Sequence, residues 1–152
     1  MQIVITDECD ERFLELSNKL NEEYLENVGD VALNYLDHNS LDEPHFVVLA
    51  MNWDKAIACA SFKVCSLDSV EIKRVYVTKR HRQKGIAYKL VKQLEKLAFE
   101  NGFKYFYIAT GKTNEAAINL YKKLGYEVID NFGIFKDDDV CICMKKRYES
   151  LI

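Results

Sequence analysis

Between Ile72 and Leu94 the chain carries eight lysines and arginines and no aspartate or glutamate. Inside that stretch the apolar spacing changes. Val75 and Val77 alternate as in a strand, whereas Ile86, Ala87, Leu90, Val91, Leu94, Leu97 and Ala98 recur at helical spacing. Gly85 stands at the change, where backbone can take φ > 0 or approach a ligand closely. Asn101-Gly102 ends the helical pattern, and a second apolar strand comes next over 105–109. A strand that leads through a helix into another strand is a crossover, and crossovers join parallel neighbours. The segment therefore demands at least one parallel strand pair.

The rest of the chain reads as elements around that crossover. A short strand is expected over 2–6, then a helix over 8–27 with Asp7 as its N-cap and Phe13, Leu16, Leu20 and Tyr24 on one face. A short second helix is expected over 31–36. A hairpin is expected over 46–51 and 56–65, then the strand over 70–77. After the crossover come a helix over 114–124, stopped by Gly125, and strands over 126–130 and 140–145. With 152 residues and no linker, repeat or low-complexity stretch, 1–152 reads as a single α/β (α+β) domain.

The strand over 70–77 holds an irregularity. Val70 and Ile72 lie on one face, Val75 and Val77 on the other, so the phase slips near Lys73-Arg74. A bulge adds one residue and produces such a slip. A strand buried on both faces blurs its alternation in the same way. Both readings stay open at this point.

Charge narrows the partners. The net charge is -3, yet outside 72–94 there are 13 basic against 24 acidic residues. A positive island in an acidic chain calls for one anionic ligand at one place and speaks against a nucleic-acid partner. No apolar run is long enough for a membrane span, and residues 1–10 lack the features of a signal peptide. The five cysteines, an odd number, point to reduced thiols and a cytoplasmic protein. Cys141 and Cys143 share a strand face, but no second pair stands at zinc-like spacing, so they are expected as core thiols and no metal is expected.

Lys79, Arg80, Arg82 and Lys84 precede Gly85 and the helix start. Unpaired N–H groups and the helix dipole at that end make a phosphate or pyrophosphate cradle, with basic side chains at its rim. Gly111-Lys112-Thr113 is not a P-loop, because position 106 is Phe where that motif has Gly. The dinucleotide pattern G-x-G-x-x-G is also absent.

Arg82-Gln83-Lys84-Gly85-Ile86-Ala87 resembles the R/Q-x-x-G-x-G/A motif of the GNAT N-acetyltransferase superfamily. Downstream, Asn114 to Tyr121 and Gly125-Tyr126 resemble the family's second signature, N-x-x-A-x-x-x-Y followed by G-Y. Both motifs fall on the expected elements, so the resemblance covers nearly the whole chain. It implies a mixed, mostly antiparallel central sheet of about seven strands, with a splayed parallel pair and about four flanking helices. It implies acetyl-CoA as co-substrate, and a small bacterial-type enzyme whose acceptor is unassigned. The splayed strands would be 70–77 and 105–109, the first with a bulge. Backbone groups of Val75, Tyr76 and Val77 would pair with the pantetheine arm. Those from Gln83 through Lys84, Gly85, Ile86 and Ala87 to Tyr88, with Arg82, would hold the pyrophosphate. Ala87 replaces the commoner glycine. Asn114 would touch pantetheine or fix the opening turn of its helix.

The implied reaction is direct attack of a primary amine, from a small molecule or peptide, on the thioester. The amine must lose a proton to a base or to water. Glu71 matches the glutamate base of the histone-acetyltransferase branch, with a water chain and a merely orienting carboxylate as alternatives. Tyr121 would serve the leaving sulfur as general acid, and a backbone N–H near Val75 the thioester oxygen. Acceptor choice would come from 22–41 and 132–135. The rival expectation is a catalytically silent acyl-CoA-binding or sensor domain of the same fold. The sequence leaves a homodimer open.

Overall fold

The computed structural model describes residues 1–28 and 43–148. Its elements are β1 (Gln2–Asp7), α1 (Glu11–Val28), β2 (Phe46–Asn52), β3 (Lys55–Val64), β4 (Ser69–Val77), α2 (Ile86–Glu100), β5 (Tyr105–Gly111), α3 (Glu115–Lys123), β6 (Glu127–Ile129) and β7 (Cys141–Arg147). The strands hydrogen-bond in the order β1-β2-β3-β4-β5-β7-β6, a mostly antiparallel sheet in which β4 and β5 are the parallel pair. The crossover read from the apolar spacing is therefore present. Three α-helices lie among the described residues. The further helix expected over 31–36 falls outside them.

The chain divides into two compact units, Met1–Lys63 with Lys73–Leu94, and Val64–Ile72 with Glu95–Ile152. In the first unit, Phe13 and Leu16 of α1 pack with Val47, Leu49 and Met51 of β2, Cys59 of β3 and Tyr76 of β4. Phe13 is 0% and Leu16 2% exposed, worth about 2–3 kcal/mol each in buried apolar area. Leu20 packs against the same cluster, one turn on from Leu16. The start of α1 corrects the expected cap. Asp10, not Asp7, accepts the Arg12 backbone N–H, at 2.9 Å. Asp7 instead accepts the Cys9 N–H at 2.9 Å, within the turn that precedes the helix. Aspartate suits both turns and caps, and only the chain direction after the strand decides between them.

In the second unit, β5 and β7 pair over seven residues, Tyr105↔Arg147 to Gly111↔Cys141. The β4–β5 ladder is much shorter, Ser69↔Tyr105 to Glu71↔Tyr107, although both strands continue. Helix α2 ends where expected. Gly102 takes φ +96°, and the Phe103 N–H returns to the Ala98 carbonyl at 3.0 Å. Cys141 and Cys143 are buried as expected, as is Cys59 of the first unit.

Both explanations of the phase slip hold. Every residue of β4 is buried except half-buried Val75. Arg74 also sits in the left-handed region at φ +57°, a break in the extended strand of the kind a bulge makes.

Candidate functional site

The basic turn belongs to the first unit and is built by its own bonds. Thr78 N–H donates to Ile57 O at 2.9 Å, a tie to β3 just past the end of β4. One 3-10 turn, Lys79–His81, then reverses the chain, and the Thr78 hydroxyl lies 2.8 Å from His81 Nδ1. Gln83 and Gly85 both take left-handed backbone, φ +63° and +77°. Left-handed residues in a turn are a feature of anion-binding nests, in which successive N–H groups converge on a ligand. The turn opens straight into α2, whose first turn holds no acid. Nothing lies within 4 Å of a Cβ built on Gly85, so conformation rather than crowding requires glycine here.

Arg82 is not a loose rim charge. Its Nε donates to Val77 O at 2.8 Å and its Nη2 to Glu23 Oε2 at 2.8 Å, and its guanidinium lies 5.4 Å over the Tyr76 ring. The arginine thus ties the turn to the end of β4 and to α1. Hydrogen bonds from Arg82 and Tyr76 hold the Glu23 carboxyl below the usual carboxylate range. Gln83, Lys84 and Gly85 are exposed, Ile86 is buried, and Ala87 and Tyr88 are half-buried. The turn therefore stands exposed to solvent with its lysine while Ile86 anchors it. Val75, Tyr76 and Val77 form the strand end that leads into it.

The second unit holds the other expected residues. Glu71 is buried, 4% exposed, in register with Tyr107 at the last pair of the parallel ladder. Asn114 is the N-cap of α3, its side-chain oxygen accepting the Ala117 N–H at 3.2 Å. Of its two expected roles, fixing the opening turn is the one seen. Tyr121 is 3% exposed and packs edge-on to Tyr126, ring centres 5.6 Å apart. Burial pushes its phenol well above the ordinary value, so it stays a neutral hydrogen-bond donor throughout the physiological range. Phe132 stands edge-on to Tyr107 at 5.5 Å, which puts the expected acceptor-side loop on β5.

Three polar features went unread in the sequence. Fully buried Glu95 of α2 accepts from Lys146 Nζ at 2.8 Å and from the Tyr126 hydroxyl at 2.7 Å. Its signal was its place on the apolar face, four residues after Val91 and one after Leu94. Buried Arg74 reaches Ser17 and Asn21 of α1. His45 is buried with its Nδ1 unpartnered. Burial also pushes the Cys59 thiol up to about 12 and the Cys141 thiol to about 11, which leaves both unreactive. Among the described residues no group of His, Cys, Asp or Glu is placed to hold a metal ion. No helix among them is long and apolar enough to cross a membrane.

Known proteins resemble the chain at two levels. "Probable N-acetyltransferase HLS1" of Arabidopsis thaliana is 49% identical over 47 residues, 30% of this chain and 12% of that protein. The match thus spans only a small part of that relative. An aminoglycoside 6'-acetyltransferase type Ii superposes with TM-score 0.72 at 22% identity, covering 97% of each chain. A GNAT family acetyltransferase from Elizabethkingia anophelis, solved with acetyl-CoA bound, has TM-score 0.64 at 20% identity, covering 96% of this chain and 98% of that one. These structures share the fold. The sequence profile of the Acetyltransferase (GNAT) family matches residues 13–126, which takes in the basic turn, Glu71, Asn114 and Tyr121. The chain belongs to the GNAT acetyltransferase family.

Proposed function

We propose that the protein is an acetyl-CoA-dependent N-acetyltransferase acting by direct attack of a primary amine of a small molecule or peptide. The observation that carries the proposal is the basic turn, where Gln83 and Gly85 take left-handed backbone at the start of α2. That turn would hold the pyrophosphate on N–H groups from Gln83 to Tyr88, and Val75, Tyr76 and Val77 would pair with the pantetheine arm. The family profile spans residues from both compact units, which supports reading 1–152 as one domain. We place it in the cytoplasm, with no metal and no nucleic-acid partner.

The attacking nitrogen must be neutral, so an ammonium acceptor gives up a proton first. Glu71 is the proposed acceptor of that proton, directly or through water. As the tetrahedral centre collapses, the now positive nitrogen gives up a second proton to solvent, the C–S bond breaks and negative charge moves to sulfur. Tyr121 then donates a hydrogen bond to that sulfur. A phenol raised by burial holds its proton more tightly than a thiol does, so hydrogen bonding is its main contribution and solvent supplies the final proton. The Val75 N–H is the proposed donor to the thioester oxygen.

The second reading, a silent acyl-CoA-binding domain, draws on the burial of Tyr121 against Tyr126. One experiment separates the two. Acetyl-CoA should raise the melting temperature, and a panel of amines should release CoA thiol. Tyr121→Phe should lower release by about 100-fold while binding holds. Binding without release for any amine would favour the silent domain, and absence of binding would refute both.

A further inference from the structure

Two costly features meet at one residue. Arg74 takes φ +57° in the middle of a strand, a conformation that glycine or asparagine adopts more cheaply. Its guanidinium is also buried, the residue being 8% exposed. Nε donates to Ser17 Oγ at 3.2 Å, and Nη2 to Ser17 O at 2.9 Å and Asn21 Oδ1 at 2.6 Å. Those acceptors are neutral, and among the described residues no carboxylate forms an ion pair with Arg74. The Arg74 carbonyl is held as well, accepting from Cys59 Sγ at 3.2 Å.

A buried charge held only by neutral acceptors is poor for stability, because no ion pair offsets its desolvation. A left-handed arginine adds backbone strain to that cost. Features of this kind persist where surrounding structure holds them for a purpose, and they cluster at functional sites. The residues next in the chain suggest the purpose. Val75 is the first of the three whose backbone the proposed reaction uses. The direction of their N–H and C=O groups depends on the ψ of Arg74 and the twist of its kink. A side chain forked onto α1 holds that kink from 57 and 53 residues away.

We propose that Arg74 is a positioning residue for the acyl donor: bonded to Ser17 and Asn21, it fixes the left-handed kink that aims the backbone of Val75–Val77 at the thioester. The inference rests on the acetyl-CoA reading above. It does not require Arg74 to touch the donor.

The test compares Arg74→Met, Arg74→Gly and Arg74→Lys with the wild type. The readouts are melting temperature, acetyl-CoA affinity by calorimetry, and the split of kcat against KM for acetyl-CoA. Met and Gly should lower kcat/KM by about 10–100-fold, the scale of a small misplacement at a reacting centre. Melting temperature should move by less than about 5 °C in Met, because loss of the buried charge offsets the Ser17 and Asn21 acceptors left without their donor. Gly relieves the backbone strain but lacks the fork, so its activity should still fall. Lys keeps the charge without the fork and should rescue only in part. If Met does not fold, Asn21→Ala removes the 2.6 Å bond alone and should raise KM for acetyl-CoA by about 3–5-fold at near-native stability. Wild-type kinetics in both Gly and Asn21→Ala would overturn the proposal. So would losses that track the fall in melting temperature. A wild-type protein that fails to bind acetyl-CoA would instead refute the underlying reading.

Discussion

Lys146→Met should be among the most destabilising single changes in the second unit. Glu95 is 0% exposed and Lys146 14% by side chain, with Oε1 and Nζ 2.8 Å apart. The substitution leaves the buried carboxylate with the Tyr126 hydroxyl, at 2.7 Å, but without its counter-charge. Removing one partner of a buried ion pair costs about 3–5 kcal/mol, far more than a surface pair. The Lys146 ammonium also lies 5.7 Å over each of the Tyr126 and Tyr148 rings. A methionine sulfur recovers part of that contact, so the expected net loss is about 3 kcal/mol. For a chain of this size that corresponds to a fall of about 10 °C in melting temperature. Urea unfolding measures the loss. Glu95→Leu, Tyr126→Phe and Lys146→Met combined should return to within about 1–2 kcal/mol of the wild type, since no polar group is left unpaired. A Lys146→Met loss under about 1 kcal/mol, or a triple variant no better than the single, would refute the account.

Asp10→Ala should cost about 1 kcal/mol near neutral pH through loss of the α1 cap, measured by urea unfolding. Hydrogen bonds from Arg12 and Thr6 hold the Asp10 carboxyl well below the usual carboxylate range. Its contribution is therefore present above the unfolded value near ~3.9 and lost as pH falls toward the folded one, so wild type and variant should converge in acid. Gly85→Ala and Gly102→Ala both place alanine at positive φ and should each cost about 1 kcal/mol. Only the former should weaken acetyl-CoA binding by calorimetry, by about 5–10-fold, and equal effects would remove the turn from the site. Glu23→Gln should change stability by less than about 1 kcal/mol in urea unfolding, because the pair with Arg82 is partly exposed, 39% and 18% by side chain.

Legibility in the sequence tracks the range of each interaction. The α1 stripe of Phe13, Leu16 and Leu20, and the α2 stripe of Ile86, Leu90 and Leu94, were legible because helical spacing is local. The basic turn was legible because Gly85, the charges and the helix start are adjacent. Asn114 could be read as a helix start for the same reason. The choice of Asp10 over Asp7 was not, since either could cap and only the turn between them decides. Arg74 and Glu95 were hidden because their partners are distant in sequence. Nothing near position 74 announces Ser17 and Asn21, and nothing near 95 announces Lys146. The phase slip at 73–74 did register the kink as a fault in alternation, without indicating that an arginine would occupy it.

The brevity of the parallel ladder has a consequence for proton exchange. The register of the parallel pair ends at Glu71↔Tyr107, within β4. On the acetyl-CoA reading, the backbone amides of β4 past that point that face away from β3 are the ones the donor would cover. A ligand that lies along them as an extra strand would protect alternate amides only, because successive N–H groups point to opposite edges. Deuterium uptake resolved residue by residue would then show every second amide of Val75–Val77 falling silent as the donor binds, a footprint of the arm written in the backbone itself.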